Sequence, residues 1–225
     1  MIINTLVDFI KNTDAMDAFG EITIYRGQDV QRNLIPSISR NDPKLNTTDV
    51  ERKIIKQLKL QASSYLPHGE TELDLLVRAQ HFGLKTRLLD WTTNPLVALW
   101  FACNNPSATN AYVYSLVADE LMIDNPYDED PFLLERTRVF QPRMNNSRII
   151  AQSGWFTLHR YSNKNKKFVS LESMRHVKKH LTEFKIPAAC KIDVLRSLEL
   201  HGVNQKTIYP DIHGVCSYLN WKNNL

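Results

Sequence analysis

Three short runs hold side chains able to do chemistry. Tyr25-Arg26-Gly27-Gln28 closes an apolar, β-type run. A guanidinium on an otherwise buried strand is costly unless an anion meets it. A phosphate meets it bidentately; an internal carboxylate or plain exposure also satisfies it. The second run is Gln80-His81-Phe82-Gly83 followed by Thr86-Arg87-Leu88-Leu89-Asp90-Trp91-Thr92. Its polar groups crowd against an apolar stretch, where they must be hydrogen-bonded. His81 and Asp90 suit an acid/base pair, and Trp91 suits stacking on a base or nicotinamide ring. The structural alternative has Asp90 and Thr92 closing a turn, Arg87 paired with Asp90, and Trp91 in the core. The third run is Tyr209-Pro210-Asp211-Ile212-His213-Gly214. There Asp211 is a general base, a metal ligand or simply a helix N-cap. Arg148, Gln152 and Trp155 add a possible fourth wall, on a strand with a bulge at Gly154.

Helices and strands must position these groups. Residues 2–18 read as a first helix and 21–28 as a strand. Residues 34–46, with Pro36 and Pro43, read as a loop. Thr48 with Glu51 forms a capping-box pattern that opens a helix to about Tyr65, with Val50, Ile54, Ile55, Leu58 and Ala62 on one face. Thr71 with Asp74 opens another through Phe82, ended by Gly83. Asn94-Pro95 caps a helix through Cys103 that is apolar on every side and therefore buried. A strand is expected over 111–118, a strand pair or bulged strand over 147–160, and a helix over 170–181. Then follow a strand over 183–187, a helix over 188–202 ended by Gly202, and a strand and turn over 206–214 before a last short helix.

The elements alternate without repeats, low-complexity tracts or linkers. They predict one α+β domain over residues 1–225, with an N-terminal helix (1–19) and a core (20–218). The chain has 225 residues, 43% apolar and 23% charged. Those are globular proportions and exclude disorder, collagen and a coiled-coil rod. No apolar run reaches the roughly 18 residues that span a bilayer, and the N-terminus lacks a signal peptide's basic start. No membrane role is expected. Three scattered cysteines, Cys103, Cys190 and Cys216, form neither a disulfide frame nor a metal spacing and fit a reducing cytoplasm. Only 7 glycines occur, and neither GxGxxG nor GxxxxGK[ST] is present, so Rossmann and P-loop chemistry are not expected.

The formal charge of +4 is a mild bias toward anionic partners. It is uneven. Residues 119–135 hold seven acids and no base, as a solvated loop or short helix would. Arg160 to Lys191 holds nine Lys/Arg against two Glu, with Tyr161 and Phe168 interleaved. Such a stretch either tracks a phosphate backbone or is a solvated face.

YRGQ, AQHFGLKTRLLDWTTNPLVALWFAC, RIIAQSGWF and TIYPDIHG together resemble the FRG domain family, named for an aromatic-Arg-Gly motif, over roughly residues 20–218. An aromatic-Arg-Gly at the end of a first strand also resembles, more distantly, the first motif of arginine-type ADP-ribosyltransferases. That resemblance implies a split β-sheet with flanking helices, and NAD as co-substrate without a metal. Arg26 would hold a phosphate of NAD. Tyr25, Gly27, Gln28, Arg87, Trp91 and Thr92 would complete its site, with Tyr25 or Trp91 on the nicotinamide. Asp90-Trp91-Thr92 stands where those enzymes carry Ser-Thr-Ser. Their later-strand Glu has no counterpart: the strand expected over 147–153 carries Arg148. Arg26, His81, Asp90 and Asp211 would then carry catalysis.

The reading that follows is a cytoplasmic mono-ADP-ribosyltransferase that modifies RNA, other nucleic acid or protein. By analogy it would be a bacterial toxin or phage-defence effector held by a neutralising antitoxin protein. Two alternatives stand beside it. One is a non-enzymatic nucleotide or nucleic-acid binding module. The other is a metal-dependent phosphodiesterase or nuclease built from His81, Asp90, Asp211 and His213.

Overall fold

The computed structural model describes residues 1–16, 22–105 and 108–223. In chain order the elements are α1 (Leu6–Asp14), β1 (Thr23–Gln28), α2 (Thr48–Gln61), α3 (Glu72–His81), β2 (Leu88–Thr92) and α4 (Pro95–Cys103). Then come β3 (Ala111–Val117), β4 (Arg138–Phe140), α5 (Ser147–Ala151), β5 (Gly154–Leu158), β6 (Tyr161–Ser162) and β7 (Lys167–Phe168). The chain ends with α6 (Arg175–Lys178), β8 (Leu181–Ile186), α7 (Lys191–Leu200), α8 (Gln205–Ile208) and α9 (Ile212–Lys222).

Among the described residues, one antiparallel sheet has the strand order β4-β5-β2-β1-β3-β8, and β6 pairs with β7 separately. β1 matches β3 along its whole length, from Thr23 opposite Val117 to Gln28 opposite Tyr112. It meets β2 only where Tyr25 lies opposite Thr92. Beyond that point the sheet is split, and the split positions the site.

Helices cover one face in two groups. α1, α4 and α7 pack on the β1-β3-β8 side, around Phe9, Ala98, Val113, Phe184 and Leu198. α2, α3 and α5 pack on the β2-β5-β4 side, around Ile55, Leu76, Phe140 and Phe156. The other face is closed by Leu34, Leu171 and Val177 over Ile24, Leu89, Trp91 and Tyr114. No helix among the described residues is long and apolar enough to cross a membrane.

The expected helices at α3 and α4 form for the expected reasons. Thr71 and Asp74 exchange capping-box bonds. Gly83 follows α3 with φ +88°, the left-handed conformation that glycine adopts freely. Asn94 accepts from the Leu96 and Val97 amides and Pro95 takes the first helical position. α4 is buried through Val97–Trp100, Ala102 and Cys103. Gly27 admits it: a Cβ there would lie 1.9 Å from the Ala98 carbonyl oxygen. The third residue of YRGQ therefore serves close strand–helix packing.

Elsewhere tertiary structure overrode local pattern. α1 begins at Leu6, not residue 2, because Thr5 and Asp8 cap it there and Ile3 donates instead to the Lys185 carbonyl in β8. The expected continuation past Met16 lies outside the described residues. α2 lacks its capping box, since Glu51 turns inward to Arg87, and its regular turns end at Gln61. Val50, expected on its buried face, is exposed. Residues 147–151 are helical: Asn146 accepts from the Arg148 amide and starts α5. Ser153, at φ +47°, then turns the chain into β5, so Gly154 begins a strand and marks no bulge. The helix expected over 170–181 is only α6, because Leu181 and Thr182 are drawn into pairing with β3. The strand expected over 206–214 is replaced by α8, capped by Asn204 and Thr207, and by α9, capped by Asp211. Side-chain caps prevailed there over the β-tendency of Ile and Tyr.

Candidate functional site

Where β1 and β2 part, a cleft of about 340 Å³ opens between the two helical groups. Tyr25, Arg26, Asp90, His81, Arg148 and Tyr209 are among its lining residues.

Arg26 occupies the split. Its Nη1 donates to the Asp90 carbonyl at 2.6 Å and lies 3.6 Å from the Asp90 carboxylate. Its Nε is buried with no hydrogen-bond partner among the described residues. Burial lowers the Arg26 pKa, and the charge of Asp90 opposes that shift. The guanidinium is thus held in place with donor capacity in reserve.

Asp90 follows from strand alternation. Leu89 and Trp91 face the closed side of β2, while Asp90 projects toward the cleft with its side chain 56% exposed. Gln80 donates to its Oδ2 at 3.0 Å. Gln80 is itself oriented by Thr86, whose hydroxyl donates to Oε1 at 2.7 Å. These bonds aim an accessible carboxylate at the cleft.

His81 closes α3 at the rim. Its pKa is lowered, first by desolvation and then by the charge of Arg148. The imidazole is therefore neutral near pH 7 and able to accept a proton. On the neighbouring α5, Arg148 donates through Nε and Nη2 to Asp211 Oδ2, at 3.0 and 2.6 Å. The guanidinium also lies 5.1 Å from the Tyr209 ring centroid. Asp211 Oδ1 accepts from the Gly214 amide, and that bond, before Arg148, holds its carboxyl below the usual range. Both Asp211 oxygens are thus engaged. It caps α9 and positions Arg148.

The structure places the remaining sequence candidates as follows. Tyr25 and Gly27 line the floor, with Tyr25 packed against α4. Trp91 contributes to the wall, but its indole is buried and donates to Thr157 Oγ1 at 3.1 Å. Thr92 donates to the Gln152 carbonyl and accepts from the Asn94 amide, closing the turn into α4. Gln28 is buried and accepts from the Arg32 amide. Arg87 does not reach the cleft and does not pair with Asp90. It is 1% exposed and bound to Glu51, with Nε–Oε2 2.8 Å.

His213 does not line the cleft. Among the described residues no three His, Cys, Asp or Glu are grouped to hold a metal. β5, the strand that does form after residue 147, carries no carboxylate in Gly154–Leu158. Among the described residues, Asp90 is the carboxylate lining the cleft.

Gln80, Phe101 and Tyr209, to which the sequence assigns no binding role, line the cleft, and Arg148 and Gln152, expected as a wall on a strand, line it from α5 and its C-cap. Gln80 stands beside His81, and Arg148 and Gln152 share the i,i+4 spacing of a helix face, a signal hidden by reading that segment as a strand. Phe101, in a helix apolar all round, carried no signal at all.

Residues 21–111 match the family model of the FRG domain. The matched segment runs from the approach to β1 to the first residue of β3 and supplies Arg26, His81 and Asp90. Arg148, Tyr209 and Asp211 come from beyond it. No curated protein and no solved structure matches the chain.

Proposed function

We propose, from the FRG-domain match as premise, that the β1/β2 cleft binds NAD and that the chain is a mono-ADP-ribosyltransferase. One observation carries this reading. Two guanidiniums, an accessible carboxylate and a neutral imidazole converge at a split in the sheet. The orphaned Nε of Arg26 and the 30% exposed side chain of Arg148 suit a pyrophosphate. When bound, NAD supplies the ADP-ribosyl group and a nicotinamide leaving group.

The chain's residues divide the remaining work. Arg26 and Arg148 neutralise and orient the phosphates. Asp90 faces the positive charge that develops on the ribose. His81 accepts the proton released by the acceptor. Tyr209 and Phe101 offer apolar surface for a flat ring.

The acceptor proposed is RNA. Lys164, Lys166 and Lys167 are exposed around the β6–β7 turn, and Arg175 and Lys178 are exposed on α6. The basic stretch is narrower than its composition suggests, since Lys191 is buried and Lys179 pairs with Glu120 at 3.1 Å. A toxin or phage-defence role, with a neutralising antitoxin protein, belongs to the same proposal by analogy.

The test is labelled NAD incubated separately with total RNA, DNA and lysate protein, beside Arg26→Ala and Asp90→Asn. Label on RNA, lost in both folded variants, supports the reading; label on protein moves the acceptor class. Thermal stabilisation by NAD with no transfer and no nicotinamide release would instead make the chain a binding module.

A further inference from the structure

A second cavity, of about 220 Å³, lies one aromatic layer from the cleft. Trp100 lines it and meets Phe101 and Tyr209 of the cleft edge-on, at centroid distances of 5.2 and 6.1 Å. Three helices line it, α4 through Trp100, α7 through Leu195 and Glu199 and α9 through Ser217 and Trp221, and α8 begins there at Asn204 and Gln205.

Glu199 adds a full charge. Its Oε1 accepts from the Tyr218 hydroxyl at 2.6 Å. Its Oε2 is buried with no hydrogen-bond partner among the described residues. Lys206 and Lys222 stand over the Tyr218 ring, 4.6 and 5.6 Å from its centroid, and leave that oxygen unmatched. Glu199 is half-buried as a whole, and a buried carboxylate oxygen without a donor is costly to maintain.

We propose that this cavity binds an organic cation, a primary ammonium on a short alkyl chain. The ammonium would donate to Glu199 Oε2, and the indoles of Trp100 and Trp221 would supply apolar wall and cation–π attraction. Anions are disfavoured by the Glu199 carboxylate. The volume is adequate, since a cavity of about 150 Å³ accepts benzene. Occupancy would be felt at Tyr209 through Trp100. The proposal does not depend on NAD binding in the cleft.

The experiment is calorimetric titration of the full chain with n-butylammonium chloride, with intrinsic tryptophan fluorescence read in parallel. n-Butanol and potassium chloride serve as neutral and ionic controls. Saturable binding with Kd about 1 mM or tighter is expected. Glu199→Gln, which keeps an acceptor for Tyr218, is expected to weaken it about tenfold or more. If Glu199→Gln does not fold, Trp221→Ala replaces it, at a side chain already 44% exposed, and is likewise expected to weaken binding. Equal binding of n-butanol, unchanged affinity in the folded variant, or no saturation by about 100 mM would overturn the proposal. Nα-acetyl-lysine amide distinguishes sources. Binding equal to n-butylammonium points to a partner's lysine, and exclusion points to a free amine.

Discussion

Arg26 reaches across the split between β1 and β2 and donates to the main-chain carbonyl of Asp90 at 2.6 Å, while the Asp90 carboxylate stays 56% exposed. The contact does two things. It satisfies a carbonyl that strand pairing leaves open beyond Tyr25–Thr92. It also holds a cation beside an accessible anion. Arg26→Lys keeps the charge but loses the planar fork. On the proposed function, transfer from NAD is expected to fall about tenfold or more, with the unfolding transition retained. Equal kcat/KM in the two proteins would remove Arg26 from the phosphate site.

The acceptor activation proposed for His81 predicts a pH profile. Its pKa is lowered by desolvation and by Arg148, so the imidazole is already the neutral base at pH 7. kcat/KM should rise with pH through a midpoint below about 6.5 and be level at neutrality. His81→Asn should lose this limb. A rising limb centred above pH 7 would assign the proton to another group.

A methyl group is predicted to separate α4 from the sheet. In Gly27→Ala the new Cβ would lie 1.9 Å from the Ala98 carbonyl oxygen and 2.6 Å from the Ala102 amide. Backbone atoms on both sides cannot yield cheaply. A loss of about 3 kcal/mol or more is expected by denaturant unfolding. A loss within experimental scatter would show that α4 can move away at little cost.

The pair of Glu51 with Arg87, each 1% exposed, ties α2 to the start of β2. The Arg87 amide also donates to Glu51 Oε1 at 2.7 Å. Glu51→Ala strands a buried guanidinium and should cost about 3–5 kcal/mol. The double variant Glu51→Met with Arg87→Met removes both charges and should recover most of that loss. A double variant as unstable as the single one would mean that the pair does more than neutralise itself.

His159 makes stability depend on pH. Trp91 donates to Thr157 Oγ1, and that hydroxyl shares a 2.9 Å hydrogen bond with His159 Nε2. Burial, then the charges of Arg26 and Arg87, pull the His159 pKa down to about 3, so the ring is neutral at pH 7. Below about pH 6.5 the unfolded chain binds a proton that the folded one does not. Stability contributed at neutral pH is thus lost as pH falls, by up to about 1.4 kcal/mol per unit toward pH 4. His159→Gln should flatten that slope between about pH 6 and 4. An unchanged slope would locate the linked proton elsewhere.

Local signals in this chain were strong where side chains act on their own backbone. Thr71 with Asp74, Asn94 with Pro95, and Gly83 each place a helix end within a few residues, so α3 and α4 were legible from the sequence. So was β1, and with it the position of Arg26 at a strand end. The grouping of YRGQ with the block around Asp90 was legible as an FRG-type pattern, which the family match over residues 21–111 shares. What residue pattern alone could not carry was partnership over distance. Glu51 lies 36 residues from Arg87 and Arg148 lies 63 from Asp211, and nothing local distinguishes a carboxylate that caps its own helix from one that meets a distant guanidinium. The sequence by itself determined where helices α3 and α4 end and which polar residues are concentrated beside the buried helix. Tertiary structure alone decided that Arg87 leaves the cleft, that Arg148 enters it, and that β1 and β2 part beyond Tyr25. Those outcomes depend on which distant groups satisfy a buried charge, and that competition is settled only when the whole sheet and its helices pack.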